Sequence, residues 1–137
     1  MTKTVSLPSL ARAGAEQVMA AAEAYAAQQG FAITICIADR LGTPLLVHRL
    51  GDPMPASVAI AIGKAESTIR FARPTGALED MINGGRTAFV GTADGTPLRG
   101  GLPLLVGDAV VGAIGVSGLT PDKDEDVARA GAEALST

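Results

Sequence analysis

Lys64 is the first residue whose setting offers chemistry. A helix opening at Ser57 and running to about Ala72 puts Ser57, Ala61, Lys64 and Thr68 on one polar flank. That flank lies about a quarter-turn from an apolar stripe of Val58, Ile62, Ala65, Ile69 and Ala72, which is expected to face a sheet. A lysine at the margin of a core either snorkels, with its head in water, or is a desolvated amine suited to anion binding or proton transfer. His48 is the only histidine, hence the only side chain whose ordinary pKa lies near neutrality. Arg49 follows it, and neighbours on a strand point to opposite faces, so only one of the two can enter a given pocket. Arg86, after Gly84–Gly85, offers a forked donor to a ligand carboxylate or to a structural ion pair. Asp39 ends an apolar strand before a turn, where its carboxylate either bonds the hairpin backbone or does chemistry. Gly100 and Gly101 offer backbone N–H groups to an anion. The candidate ligand-binding set is therefore Asp39, Arg49, Lys64, Arg86, Gly100 and Gly101, with Lys64 and His48 as proton-transfer groups if the protein is an enzyme.

Several chemistries lack their signatures. One histidine and one cysteine cannot build a common zinc cluster within a subunit, so no metal site is expected. The Gly100–Gly101 pair has neither a strand–GxGxxG–helix context nor a Lys-Ser/Thr ending, which sets a nucleotide loop aside. No GxSxG elbow is present.

The positioning elements follow from periodicity. Residues 7–29 read as an amphipathic helix carrying Leu7, Leu10, Gly14, Val18, Ala21 and Tyr25 on one face, with Ser6 as cap and Gly30 as terminator. Strands over 31–39 and 44–50 form a hairpin through Leu41–Gly42–Thr43. After a loop at 51–55 and the helix from Ser57, Pro74 ends that helix and a shorter one spans 75–82. A third strand is expected at 87–91, and two more at 102–106 and 109–117, joined by Gly107–Asp108. A helix from Pro121 to Leu135 closes the chain, with Asp122, Asp124, Glu125 and Asp126 near its positive end. Hairpin-length connections favour an antiparallel sheet flanked by helices, an α+β fold. Six glycines between residues 99 and 118 mark either simple turns or close approach of another backbone or ligand.

At 137 residues, 47% of them hydrophobic, the chain is expected to be one folded domain. No apolar run reaches the roughly 18 residues of a membrane span, and no secretory signal is expected. The single cysteine, Cys36, lies in an Ile-rich strand, where a buried, reduced thiol in the cytoplasm is the default. A net charge of −3 and an aromatic content of 3% argue against nucleic acid as a partner.

Six blocks resemble the GlcG/HbpS family of small bacterial proteins: Ile37–Gly42, Gly63–Lys64–Ala65, Asn83–Phe89 (NGGRTAF), Arg99–Pro103, Gly112–Thr120 (GAIGVSGLT) and Asp124–Glu125. Their order and spacing cover nearly the whole chain, and NGGRTAF with GVSGLT points to the GlcG branch. The resemblance implies a profilin-like fold with five antiparallel strands between helices, and homo-oligomers of four or more subunits. It also implies a binding protein for haem or another small anionic or planar ligand. A haem site in this chain would have to use His48, the only histidine, alone or paired across subunits, or accept a weaker ligand. The rival reading is a cofactor-independent isomerase or lyase acting on a small organic acid, with Lys64 or His48 moving a proton.

Overall fold

The computed structural model describes residues 1–135. Helix α1 (Arg12–Gln29) leads into the hairpin β1 (Ile33–Asp39) and β2 (Pro44–Leu50). Helices α2 (Ser57–Phe71), α3 (Thr75–Asn83) and α4 (Phe89–Ala93) follow. A second hairpin, β3 (Gly101–Val106) and β4 (Ala109–Ser117), and helix α5 (Pro121–Leu135) complete the chain. The sheet has four strands in the order β2–β1–β4–β3, every pair antiparallel.

The expected five-strand sheet is thus corrected to four among the described residues. Residues 87–91, read as a strand, instead turn into α4. Phe89 is what the local sequence could not place: its ring meets Phe71 of α2 edge-on at 5.3 Å, and a short helical turn delivers it there. The first helix also starts later, at Arg12 rather than Leu7. The N–H of Leu10 donates to the carbonyl of Val111 on β4 at 2.9 Å, which commits that backbone to the sheet.

Alternation along β1 divides the molecule into layers. Ile33, Ile35 and Ile37 face α1 and α5 in the main core, with Val18, Met19, Ala22, Ile114 and Val127. Thr34, Cys36 and Ala38 face the other way, where Cys36 and Ala38 pack with Ala61, Ala65 and Ala113 and the Thr34 hydroxyl bonds Ser57 at 2.7 Å.

On that second face the helix contradicts its apolar stripe. Val58, Ile62 and Ile69 are only half-buried and Ala72 is exposed, whereas Ser57, Ala61, Lys64, Ala65 and Thr68 are buried. The reason is distance. A Cβ on Gly115 would overlap the carbonyl oxygen of Ala61 and lie 2.7 Å from the N of Ala65. One on Gly101 would lie 2.7 Å from the carbonyl oxygen of Lys64. The backbone of α2 therefore rests directly on strand glycines, and only small or unbranched side chains fit in the seam. Branched aliphatics are displaced to its flanks, and Lys64 is carried inward.

Candidate functional site

Lys64 is 3% exposed, far from the snorkelling arrangement its sequence position allowed. Its Nζ donates to the carbonyl of Val116 at 2.8 Å and to Oδ2 of Asp124 at 3.2 Å. Asp124 sits in the first turn of α5, and its other oxygen accepts the N–H of Leu119 at 3.1 Å. Burial pushes the Lys64 amine below the ordinary lysine range, opposed by Asp124 and more weakly by Glu79. Burial likewise raises the Asp124 carboxyl, opposed by Lys64 and the Leu119 N–H. Burial thus works against the charged form of both groups, and their mutual attraction works for it.

Gly100 makes room for the pair. At its φ of 130° an added Cβ would lie 2.8 Å from Nζ of Lys64 and 2.6 Å from the carbonyl oxygen of Val116. Gly101 is not free to bind an anion, because its N–H already donates to Oγ1 of Thr75 at 2.8 Å. Above the pair lies a cavity of about 130 Å³, with Glu79, Arg99 and Ser117 in its wall and Met54, Leu98 and Leu119 at its apolar rim. Arg99 spreads its guanidinium over Asp80 at 2.6 Å, Glu125 at 3.4 Å and Glu79 at 3.7 Å.

The other sequence candidates lie elsewhere. Neither Arg49 nor Arg86 lines this cavity. Arg49 reaches the exposed Asp52 at 3.8 Å, and Arg86 is exposed on the turn after α3. Asp39 spends one oxygen on the N–H groups of Leu41 and Thr43, at 2.9 and 3.1 Å, as a hairpin clamp. His48 pairs across the ladder with Ile35, so it points to the α1 face, opposite Lys64. There its Nδ1 is hydrogen-bonded to Oε1 of Glu23. A carboxylate only accepts, so in the neutral ring the proton sits on Nδ1 and the lone pair on Nε2. This pair lines an open groove of about 290 Å³ with Arg12, Glu16, Met19, Ala20 and Leu46.

Asp124, Arg99 and Glu23 were the residues that sequence reasoning missed. Asp124 stands 60 positions from Lys64, so no local spacing pairs them. Its place among the acids of the last helix reads as dipole compensation alone. Among the described residues, no group of acids, histidine and cysteine could hold a metal ion, and no helix is long and apolar enough to cross a membrane.

A family model described as haem-degrading protein HbpS-like matches residues 10–133. Protein GlcG of Escherichia coli K12 is 37% identical over 103 residues, covering 75% of this chain and 77% of its own. A double mutant of Streptomyces reticuli HbpS superposes with a TM-score of 0.87 at 28% identity, over 100% of this chain and 94% of its own. A PduOC–haem complex superposes with a TM-score of 0.81 at 25% identity, over 93% and 95% of the two chains.

Proposed function

We propose, from the premise that this chain belongs to the HbpS-like family, that it is a homo-oligomeric binding protein for haem or a similarly planar, carboxylated ligand. The observation that carries the reading is the His48–Glu23 pair in its open groove. A carboxylate behind the ring holds the imidazole by Nδ1 and leaves Nε2 as the available donor, the arrangement that makes histidine a good iron ligand. The solved haem complex of a similar chain supports the same class of ligand.

The residues present fit one face of such a group. His48 would hold the iron, Leu46 and Ala20 would lie against the macrocycle, and the exposed Arg12, whose Nε donates to Glu16 at 2.8 Å, would offer its remaining N–H groups to a propionate. Glu16 and Glu23 repel a second propionate, so the ligand would be held from one edge. The groove is at the low end of the roughly 300–1,000 Å³ of small-molecule sites, which leaves much of a porphyrin for solvent or a second subunit to cover. Bound haem would supply an iron centre with one coordination position open to exchange.

Assembly into four or more subunits and a cytoplasmic location are part of this reading. The apolar residues Met54, Val90, Leu98 and Leu119 are exposed around the α2 and α4 side, which supports an interface there. The lone, disulfide-free Cys36 supports a reducing compartment.

Haem titration followed by the Soret band, with light scattering of the same samples, tests the proposal. Wild type should give a 1:1 complex in an oligomer. His48→Ala should abolish the axial-imidazole spectrum, and Glu23→Gln should weaken binding about 10–100-fold, the usual range for loss of a partner behind a ligating histidine. An unchanged spectrum in His48→Ala, or a wild-type monomer at micromolar concentration, would refute the reading. A second reading, a cofactor-independent isomerase or lyase, is favoured by the buried Lys64–Asp124 pair. It keeps Lys64 as the proton-transfer group and cannot combine it with His48, which lies across the sheet.

A further inference from the structure

The cavity over Lys64 has a charge balance that says what can enter it. Its volume, about 130 Å³, compares with the roughly 150 Å³ of an engineered cavity that admits benzene, so a short molecule of about six non-hydrogen atoms fills it. Both cations in its wall are already held by carboxylates: Lys64 by Asp124, and Arg99 by Glu79, Asp80 and Glu125. A carboxylate ligand would enter beside Asp124 and Glu79, two acids facing the same space. An uncharged molecule meets no such cost, and Lys64 is among the residues it meets.

The Lys64 amine is prepared for covalent chemistry. Lys64 uses two of its three N–H groups on Val116 and Asp124, and its side chain is part of the cavity wall. The missing side chain of Gly100 keeps its flank clear. We infer that Lys64 captures short, uncharged aldehydes or ketones as a protonated Schiff base, with Asp124 as its proton-transfer partner. This goes beyond the haem reading, which uses the other face of the sheet, and it replaces the small organic acid of the catalytic alternative by an uncharged carbonyl compound.

The ammonium of Lys64 gives a proton to Oδ2 of Asp124, 3.2 Å away. Rotation about Cε–Nζ turns the nitrogen lone pair to the cavity, and it adds to the carbonyl carbon as the C=O π pair moves onto oxygen. Asp124 protonates that oxygen, then removes a proton from nitrogen. Returned to the hydroxyl, this proton lets water leave as the nitrogen lone pair closes the C=N bond. The product is an iminium cation opposite an Asp124 carboxylate, so the charge of the site is unchanged. Burial, which lowers the amine and raises the acid, eases the first transfer.

The chain has three lysines, and Lys3 and Lys123 are exposed, which makes the test internally referenced. The full chain is incubated with propionaldehyde and cyanoborohydride, and the sites of reductive alkylation are mapped by peptide mass. Lys64 should be alkylated faster than Lys3 or Lys123 despite its burial. Asp124→Asn should slow Lys64 alone by about 10²-fold, the lower range for loss of a general acid–base. In the wild-type chain, naphthaldehyde, too large for the cavity, and glyoxylate, which carries a carboxylate, should both react at Lys64 no faster than at the exposed lysines. These two arms need no variant to fold. Labelling of Lys64 only after denaturation, or equal labelling by all three aldehydes, would overturn the inference. So would an unchanged rate in a folded Asp124→Asn. Alkylation at Lys64 should leave the haem titration unchanged, so failure of either proposal is read separately.

Discussion

Replacing Asp124 by alanine tests the buried pair through stability. The side chain of Asp124 is 5% exposed and accepts two N–H groups, one from Lys64 and one from Leu119. Its removal leaves the ammonium of Lys64 facing a single carbonyl, that of Val116. Breaking one side of a buried pair costs about 3–5 kcal/mol. The lost bond from Leu119 adds about 1 kcal/mol. Lys64 can escape by shedding its proton, and pH decides whether it does. Against an ordinary lysine pKa of 10.5, deprotonation costs about 6 kcal/mol at pH 6 and about 2 kcal/mol at pH 9. At pH 6 the charged form persists and the variant should lose about 4–6 kcal/mol. At pH 9 the amine neutralises and the loss should shrink to about 2–3 kcal/mol. The sign follows from proton counts. In the variant the folded-state pKa of Lys64 lies below its unfolded value, so between the two the unfolded chain binds more protons and stability rises with pH. Urea denaturation followed by circular dichroism at both pH values measures this. Lys64→Met/Asp124→Leu should recover most of the loss, because no unpaired charge remains. A loss under about 1 kcal/mol at pH 6, or one independent of pH, would refute the reasoning.

The glycine seam makes a second prediction: Gly115→Ala should cost at least about 1–3 kcal/mol, because the backbone of α2 must move. Gly91→Ala, in open space on α4, should be neutral or slightly stabilising in the same melts. Burial pushes the Cys36 thiol up to about 12. It should therefore resist iodoacetamide at pH 8 in the native protein and react fully in denaturant.

The sequence carried the elements better than the contacts between them. Both hairpins, the Gly30 stop with its φ of 72°, and helices α3 and α5 were legible from turn residues and capping rules, which act within a few positions. Phe89 was misread because its partner ring lies on α2, out of reach of any local pattern. The buried face of α2 was misread because hydropathy ranks Ile and Val above Ser and Lys, whereas the spacing to Gly101 and Gly115 selects by size. Lys64 itself was legible as a residue at a margin. Its acid was not, since Asp124 arrives from another helix. Arg49 and Arg86 do not gather around it for the converse reason: charge type suggests partners, but Arg49 lies out on the edge strand β2 beside Asp52 and Arg86 on an exposed turn.

The strand order β2–β1–β4–β3 leaves two outer strands, each a template on which a further chain could lengthen the sheet. Both are spoiled for that use. On β2, Pro44 lacks an N–H, the pairing with β1 slips between Ile37 and Ala38, and Arg49 is exposed. On β3, Pro103 lacks an N–H and the pairing with β4 slips between Leu104 and Leu105. Chains that meet are thereby steered away from strand-to-strand growth of the sheet.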